Sequence, residues 1–161
     1  MKKIIFLRHG KATDKWPMID DWSRHLIEKW EERTIQYLSE NRDKIVVDTI
    51  ISSGAWRAKM TAEIAALELW IDRNDIQYHP WLRTDNYQSI IDMIFSFPPT
   101  WESVLLVWHN DTLTEAAMSL SKKPLEPMLK SWLVWLTYWV QDWTSVDKKN
   151  NTNAWQYNGP Q

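Results

Sequence analysis

The chain has 161 residues, carries 19 Lys+Arg against 21 Asp+Glu, and contains no cysteine. A formal net charge of -2 gives no general attraction to nucleic acid or to an anionic membrane. The missing thiols exclude disulfides, zinc–thiolate sites and cysteine nucleophiles, and the length fits one compact domain over 1–161 that buries a core without a covalent or metal staple.

At the N-terminus, Met1-Lys2-Lys3 precedes the apolar run Ile4 to Leu7, which Arg8 closes. That run is too short for a signal peptide or a membrane span, so the cytoplasm is the expected location. Residues 3–7 read as a strand buried on both faces. Asp20 to Ser23 offers helix-start chemistry, and the helix that follows carries Leu26, Trp30, Tyr37 and Leu38 on one side with Glu28, Glu31, Glu32 and Arg33 largely opposite. The β-branched residues 46–51 predict a second strand, and Ser52-Ser53-Gly54 a turn. From Ala55 to about Leu69, alanines recur at helical spacing, with Ser53 as the expected N-cap. Residues 76–78 predict a short strand. Asp85 or Asn86 caps a helix bearing Ile90, Ile91, Ile94 and Phe95, which Pro98-Pro99 stops. Residues 103–108 predict a strong strand. A helix then spans about 112–120, where Thr112 and Glu115 have capping-box spacing. Residues 132–140 and 153–158 predict the last two strands.

Strands alternating with helices imply an α/β fold: three αβα layers, with a mostly parallel central sheet covered on both faces. No repeat, low-complexity stretch or linker divides the chain. In such sheets ligands bind beyond the carboxyl ends of the strands. Strand one ends in Arg8-His9-Gly10-Lys11. The second runs through Ser52-Ser53 into a helix with Arg57 in its first turn. The third strong strand ends in Trp108-His109-Asn110. Two histidines, two arginines and two helix N-termini then converge on one edge, which is the donor inventory of a phosphate site. A neutral imidazole in that setting can attack phosphorus, because the surrounding cations disfavour the imidazolium. Phosphoryl transfer asks mainly for positioning and charge stabilisation, so no metal or other cofactor is expected. His25 and His79 have no partners at metal-ligand spacing and read as structural or surface residues. Ser53 reads as a helix cap rather than a triad nucleophile.

These motifs resemble the histidine phosphatase superfamily of phosphoglycerate mutase-like fold, and within it the small SixA-type phosphohistidine phosphatases. The resemblance spans nearly the whole chain in order. It rests on Leu7-Arg8-His9-Gly10-Lys11-Ala12, on Asp20-Asp21-Trp22-Ser23-Arg24-His25-Leu26, on the run from Ser52-Ser53-Gly54 through Arg57-Ala58 to Thr61-Ala62-Glu63, and on Val104-Leu105-Leu106-Val107-Trp108-His109-Asn110. It implies that His9 is the nucleophile and that Arg8, Arg57 and His109 bind and stabilise the phosphoryl group. It also implies that Arg24 borders the pocket, that Ser53 and Asn110 are neighbours of the phosphate, and that Asp85 is the candidate leaving-group acid. The expected partner is a protein bearing phosphohistidine or a small phosphorylated substrate. The alternatives are a phosphate-binding interaction module that has lost turnover, and a small-molecule phosphomonoesterase.

Several positions depart from the family pattern. Trp108 and Trp30 stand where the family has Gly, His25 and Gly54 where it has Pro, and Asp111 where Pro is common. They belong to a wider bias of thirteen Trp against three Gly. An indole directly before His109 raises a concrete question, whether it fills the pocket or points into the core.

Overall fold

A computed structural model describes residues 1–18, 20–80 and 86–157. Its strands are β1 (Lys2–Arg8), β2 (Thr49–Ser53), β3 (Ile76–His79), β4 (Ser103–Trp108), β5 (Leu133–Tyr138) and β6 (Asn151–Tyr157). They form one sheet in the order β3-β2-β4-β1-β5-β6. β1 to β4 run parallel, β5 lies antiparallel beside β1, and β6 lies antiparallel to β5. The helices are α1 (Glu28–Glu40), α2 (Trp56–Leu69), α3 (Tyr87–Phe95) and α4 (Asn110–Leu120). The expected three layers and mostly parallel sheet are therefore present. Among the described residues no helix is long and apolar enough to cross a membrane.

The central strands read as unbroken apolar runs because both of their faces are covered. Side chains nonetheless alternate between two cores. Ile4 and Phe6 of β1 and Val104, Leu106 and Trp108 of β4 pack with Ile90 and Ile94 of α3 and Leu113 and Ala117 of α4. Ile5, Leu7, Leu105 and Val107 pack on the other side with Tyr37 and Leu38 of α1 and with α2. The α2 face is Ala58, Ala62, Ala65 and Ala66, all fully buried, so this helix seats closely on the sheet.

Element boundaries moved where polar side chains took backbone partners. β2 begins at Thr49 rather than 46, since Val46 is exposed and the Asp48 carboxylate accepts the backbone N–H groups of Glu102 (2.6 Å) and Ser103 (2.9 Å). Ser52 and Ser53 lie in the strand, not in a turn, and the N-cap of α2 is Ala55. For α3 the cap is Asn86, whose side chain accepts from Gln88 N; Asp85 lies outside the described residues. α4 starts at Asn110, two residues before the expected capping box, with His109 as its N-cap.

The order of the sheet puts β1, β4 and β2 side by side. Arg8 is in register with Trp108, and Ser52 with Val107. The residues that follow these strands therefore emerge at one edge.

Candidate active site

His9 leaves β1 as a buried residue, 8% exposed, and its backbone N–H donates to Trp108 O at 3.3 Å, which ties the β1 and β4 ends together. Its Nδ1 lies 2.7 Å from the Gly10 carbonyl oxygen. A carbonyl can only accept, so Nδ1 carries the proton and Nε2 presents a lone pair. Arg57, in the first turn of α2, donates from Nε to that lone pair at 3.2 Å. His109 places its ring 5.2 Å from that of His9, edge to face. Arg8 donates from Nη1 to Met128 O at 2.7 Å, while its buried Nε has no hydrogen-bond partner among the described residues. Gly10 sits in a close approach: a Cβ there would lie 3.0 Å from Trp30 Cβ and 3.3 Å from Ser131 Oγ, a tight fit that would push these side chains by a few tenths of an ångström.

These side chains line a cavity of about 380 Å³ together with Lys11, Ala12, Asp14, Arg24, Asn110 and Lys130. The structure thus brings Arg8, His9, Arg24, Arg57, His109 and Asn110 to one space. Ser53 is not in that wall. It is fully buried behind His109, with Oγ 2.7 Å from Nε2. Asp85, the expected acid, lies outside the described residues. His25 packs its ring on Trp56 at 5.2 Å, a packing role.

Trp108 answers the pocket question. It is 1% exposed and belongs to the core between the sheet and α3/α4. It shares the parity of Val104 and Leu106, so its indole points into that core and is not among the residues lining the cavity.

Asp21, Asp14 and Lys130 were not singled out in the sequence as site residues. Asp21 accepts from Arg57 through its backbone oxygen (2.6 Å) and its carboxylate (3.0 Å). The same carboxylate pairs with Arg24 at 2.8 Å and Lys15 at 3.6 Å. Arg24 also donates to Thr13 O at 2.8 Å, which pins the 11–18 segment to the pocket edge. The sequence signals were the Asp20-Asp21 pair at a helix start, which capping chemistry explains equally well, and the place of Asp21 at the head of the Asp21-Trp22-Ser23-Arg24 segment, to which no role was given. Lys130 had no signal, since it reaches the site from the segment before β5.

Electrostatics favour neutral imidazoles. Burial first, then His109, Arg57 and Arg8, hold the His9 pKa well below its usual value, against an opposing effect of the Gly10 carbonyl. Burial and then Arg57 push His109 down to about 4, with Asp21 opposing. Desolvation works against the Asp21 carboxylate, but Arg57, Arg24 and Lys15 together keep it below the ordinary aspartate range. The cavity therefore offers fixed cations to an anion and an unprotonated ring nitrogen to an electrophile.

No protein-family profile and no curated protein matches the sequence. Solved structures do match the fold. A SixA protein histidine phosphatase in complex with tungstate superposes with a TM-score of 0.77 at 19% identity, over 96% of this chain and 95% of that one. The SixA protein of Agrobacterium tumefaciens gives 0.76 at 23% identity, over 85% and 92%. A mycobacterial glucosyl-3-phosphoglycerate phosphatase gives 0.65 at 16% identity, over 91% and 95%. The chain has the fold of these phosphatases, the phosphoglycerate mutase-like αβα fold.

Proposed function

We propose that this protein is a phosphatase that works through a phosphohistidine on His9, and that its substrate is phosphohistidine on a protein partner. The observation that carries this reading is the His9 ring itself. Its Nδ1 proton is held by Gly10 O, and its Nε2 lone pair faces Arg57 beside Arg8 and His109.

The chemistry follows from those contacts. A phosphoryl dianion entering the cavity takes the donors of Arg8, Arg57 and His109, and Arg57 Nε gives up Nε2. Nε2 then attacks phosphorus in line; the P–N bond to His9 forms as the bond to the leaving group breaks. The leaving group departs with a proton, water attacks the phosphorus of the intermediate, and the P–N bond breaks to release phosphate. A phosphoramidate leaving nitrogen is readily protonated, so a phosphohistidine substrate depends little on a dedicated acid. The structural likeness to SixA phosphatases supports the same substrate class.

The test is phosphate release from a chemically phosphorylated histidine protein, with and without EDTA, by the native chain and by His9→Ala. The expected result is EDTA-insensitive turnover that His9→Ala abolishes. Equal rates for the two chains refute the nucleophile. Tight tungstate binding without turnover points instead to a binding module.

A further inference from the structure

Ser53 carries information about His109 that its position alone does not. It is fully buried at the end of β2, and its Oγ has two neighbours. The Ala55 backbone N–H donates to it at 3.3 Å, and His109 Nε2 lies 2.7 Å away. On the far side of the same ring, the buried Nδ1 has no hydrogen-bond partner among the described residues.

A serine oxygen has one hydrogen and two lone pairs. The Ala55 N–H occupies one lone pair, which leaves two ways to make the contact with Nε2. If Nε2 bore the proton, Oγ would accept twice. The serine hydrogen would then have no acceptor among the described residues, and Nδ1 would be a bare buried lone pair. Two groups would go unsatisfied. If Ser53 donates instead, Nε2 accepts and Nδ1 keeps the proton. Only Nδ1–H is then unsatisfied, and it is a donor on a ring that lines an anion-binding cavity. Buried polar groups left without partners are costly, so the second arrangement wins.

We propose that Ser53 is a positioning residue that fixes His109 as its Nδ1–H tautomer, so that the ring meets the phosphoryl group as a neutral hydrogen-bond donor. This rests on the phosphoryl-transfer reading of the cavity. His9 and His109 then share a tautomer for opposite purposes. In His9 the Nδ1 proton is spent on Gly10 O and the lone pair is free; in His109 the lone pair is spent on Ser53 and the proton is free. The depressed His109 pKa agrees, since a neutral ring at pH 7 has a tautomer to set.

The experiment is long-range proton–nitrogen NMR of the histidine rings at pH 7, free and with tungstate. Native His109 is expected to show a protonated Nδ1 and an unprotonated Nε2, with the Nδ1 proton moving downfield when tungstate binds. Ser53→Ala should mix the tautomers and lower kcat about tenfold, the worth of one such hydrogen bond. Ser53→Thr keeps the hydroxyl and should restore both. A proton on Nε2 of native His109 overturns the proposal, and that result needs no variant to fold. So does Ser53→Ala with the native tautomer. The spectra do not depend on turnover. An inactive chain with Nδ1–H fails the phosphatase reading alone, and an active chain with Nε2–H fails this assignment alone.

Discussion

Replacing Trp108 with alanine separates two roles that adjacency to His109 would otherwise confuse. The indole is 1% exposed and belongs to the buried cluster on the α3/α4 side of the sheet that also holds Phe6, Leu106, Leu113 and Val134. Its ring centroid is 6.4 Å from that of His109. Truncating a buried aromatic of this kind removes its transfer energy and leaves a cavity, at a cost of about 3–5 kcal/mol. For a chain of this length each kcal/mol lowers Tm by about 2–4 °C, so Trp108→Ala should melt about 6–20 °C early. Trp108→Phe keeps most of the contact and should lose less. Turnover per folded molecule at 25 °C should stay level or fall, because nothing is unblocked. The assay pairs thermal unfolding with kcat and tungstate affinity on the same samples. A tenfold gain in kcat with Tm unchanged would place the indole in the pocket and refute the parity reasoning.

Three further outcomes test other parts of the site. The unfolded chain protonates its histidines as pH falls through about 6.5, whereas folded His109 resists until about 4. Stability is thus lost on acidification, by about 2 kcal/mol between pH 7 and pH 5 from His109 alone, with His9 adding in the same direction. Urea unfolding at both pH values should show a smaller loss for His109→Gln, and an equal loss would remove the basis for a neutral His109. Asp21→Asn frees Arg57 from its carboxylate and removes a negative charge near the cavity, so kcat should fall while tungstate binds as tightly or more so; an unchanged kcat would show that Asp21 does not orient Arg57. Gly54→Ala would put a Cβ 2.5 Å from Pro80 Cα, a backbone atom that cannot yield, and should cost about 1–3 kcal/mol in thermal or urea unfolding.

What the sequence made legible followed from local signals. β1 and β4 are apolar runs closed by polar residues, and both matched closely. Arg8, His9, Arg57 and His109 were readable because strand ends in a parallel sheet collect at one edge. β2 was misplaced because the β-branched run from Val46 does not reveal that Asp48 bonds the chain two strands away in sequence. The Thr112–Glu115 pair had the right spacing for a cap, but the helix begins at Asn110, against the end of β4. Trp108 was undecidable without knowing which helices cover which face; once they are placed, the alternation with Val104 and Leu106 settles it. Trp30 is a tertiary matter, since its Cβ abuts the backbone of Gly10 from another element. Asp21 was given no role because its carboxylate is partly exposed and one of its partners, Arg57, is distant in sequence.

Arg57 ties these pieces together. Its three guanidinium nitrogens are divided between His9 Nε2, the Asp21 carbonyl and the Asp21 carboxylate. The His9 Nε2 lone pair, the nucleophile of the proposed mechanism, is therefore capped by a donor rather than open to protonation, and burial reinforces that state. A phosphoryl dianion offers Nε a stronger, charge-assisted acceptor than a neutral ring nitrogen. On the proposed mechanism, binding and uncovering of Nε2 would be one exchange, with Asp21 holding the far edge of the guanidinium. A lysine at this position would keep the charge but lose the planar fork that makes the exchange possible. On the proposed mechanism, the cations around the imidazole would keep it unprotonated before substrate arrives and stabilise charge on phosphorus afterwards.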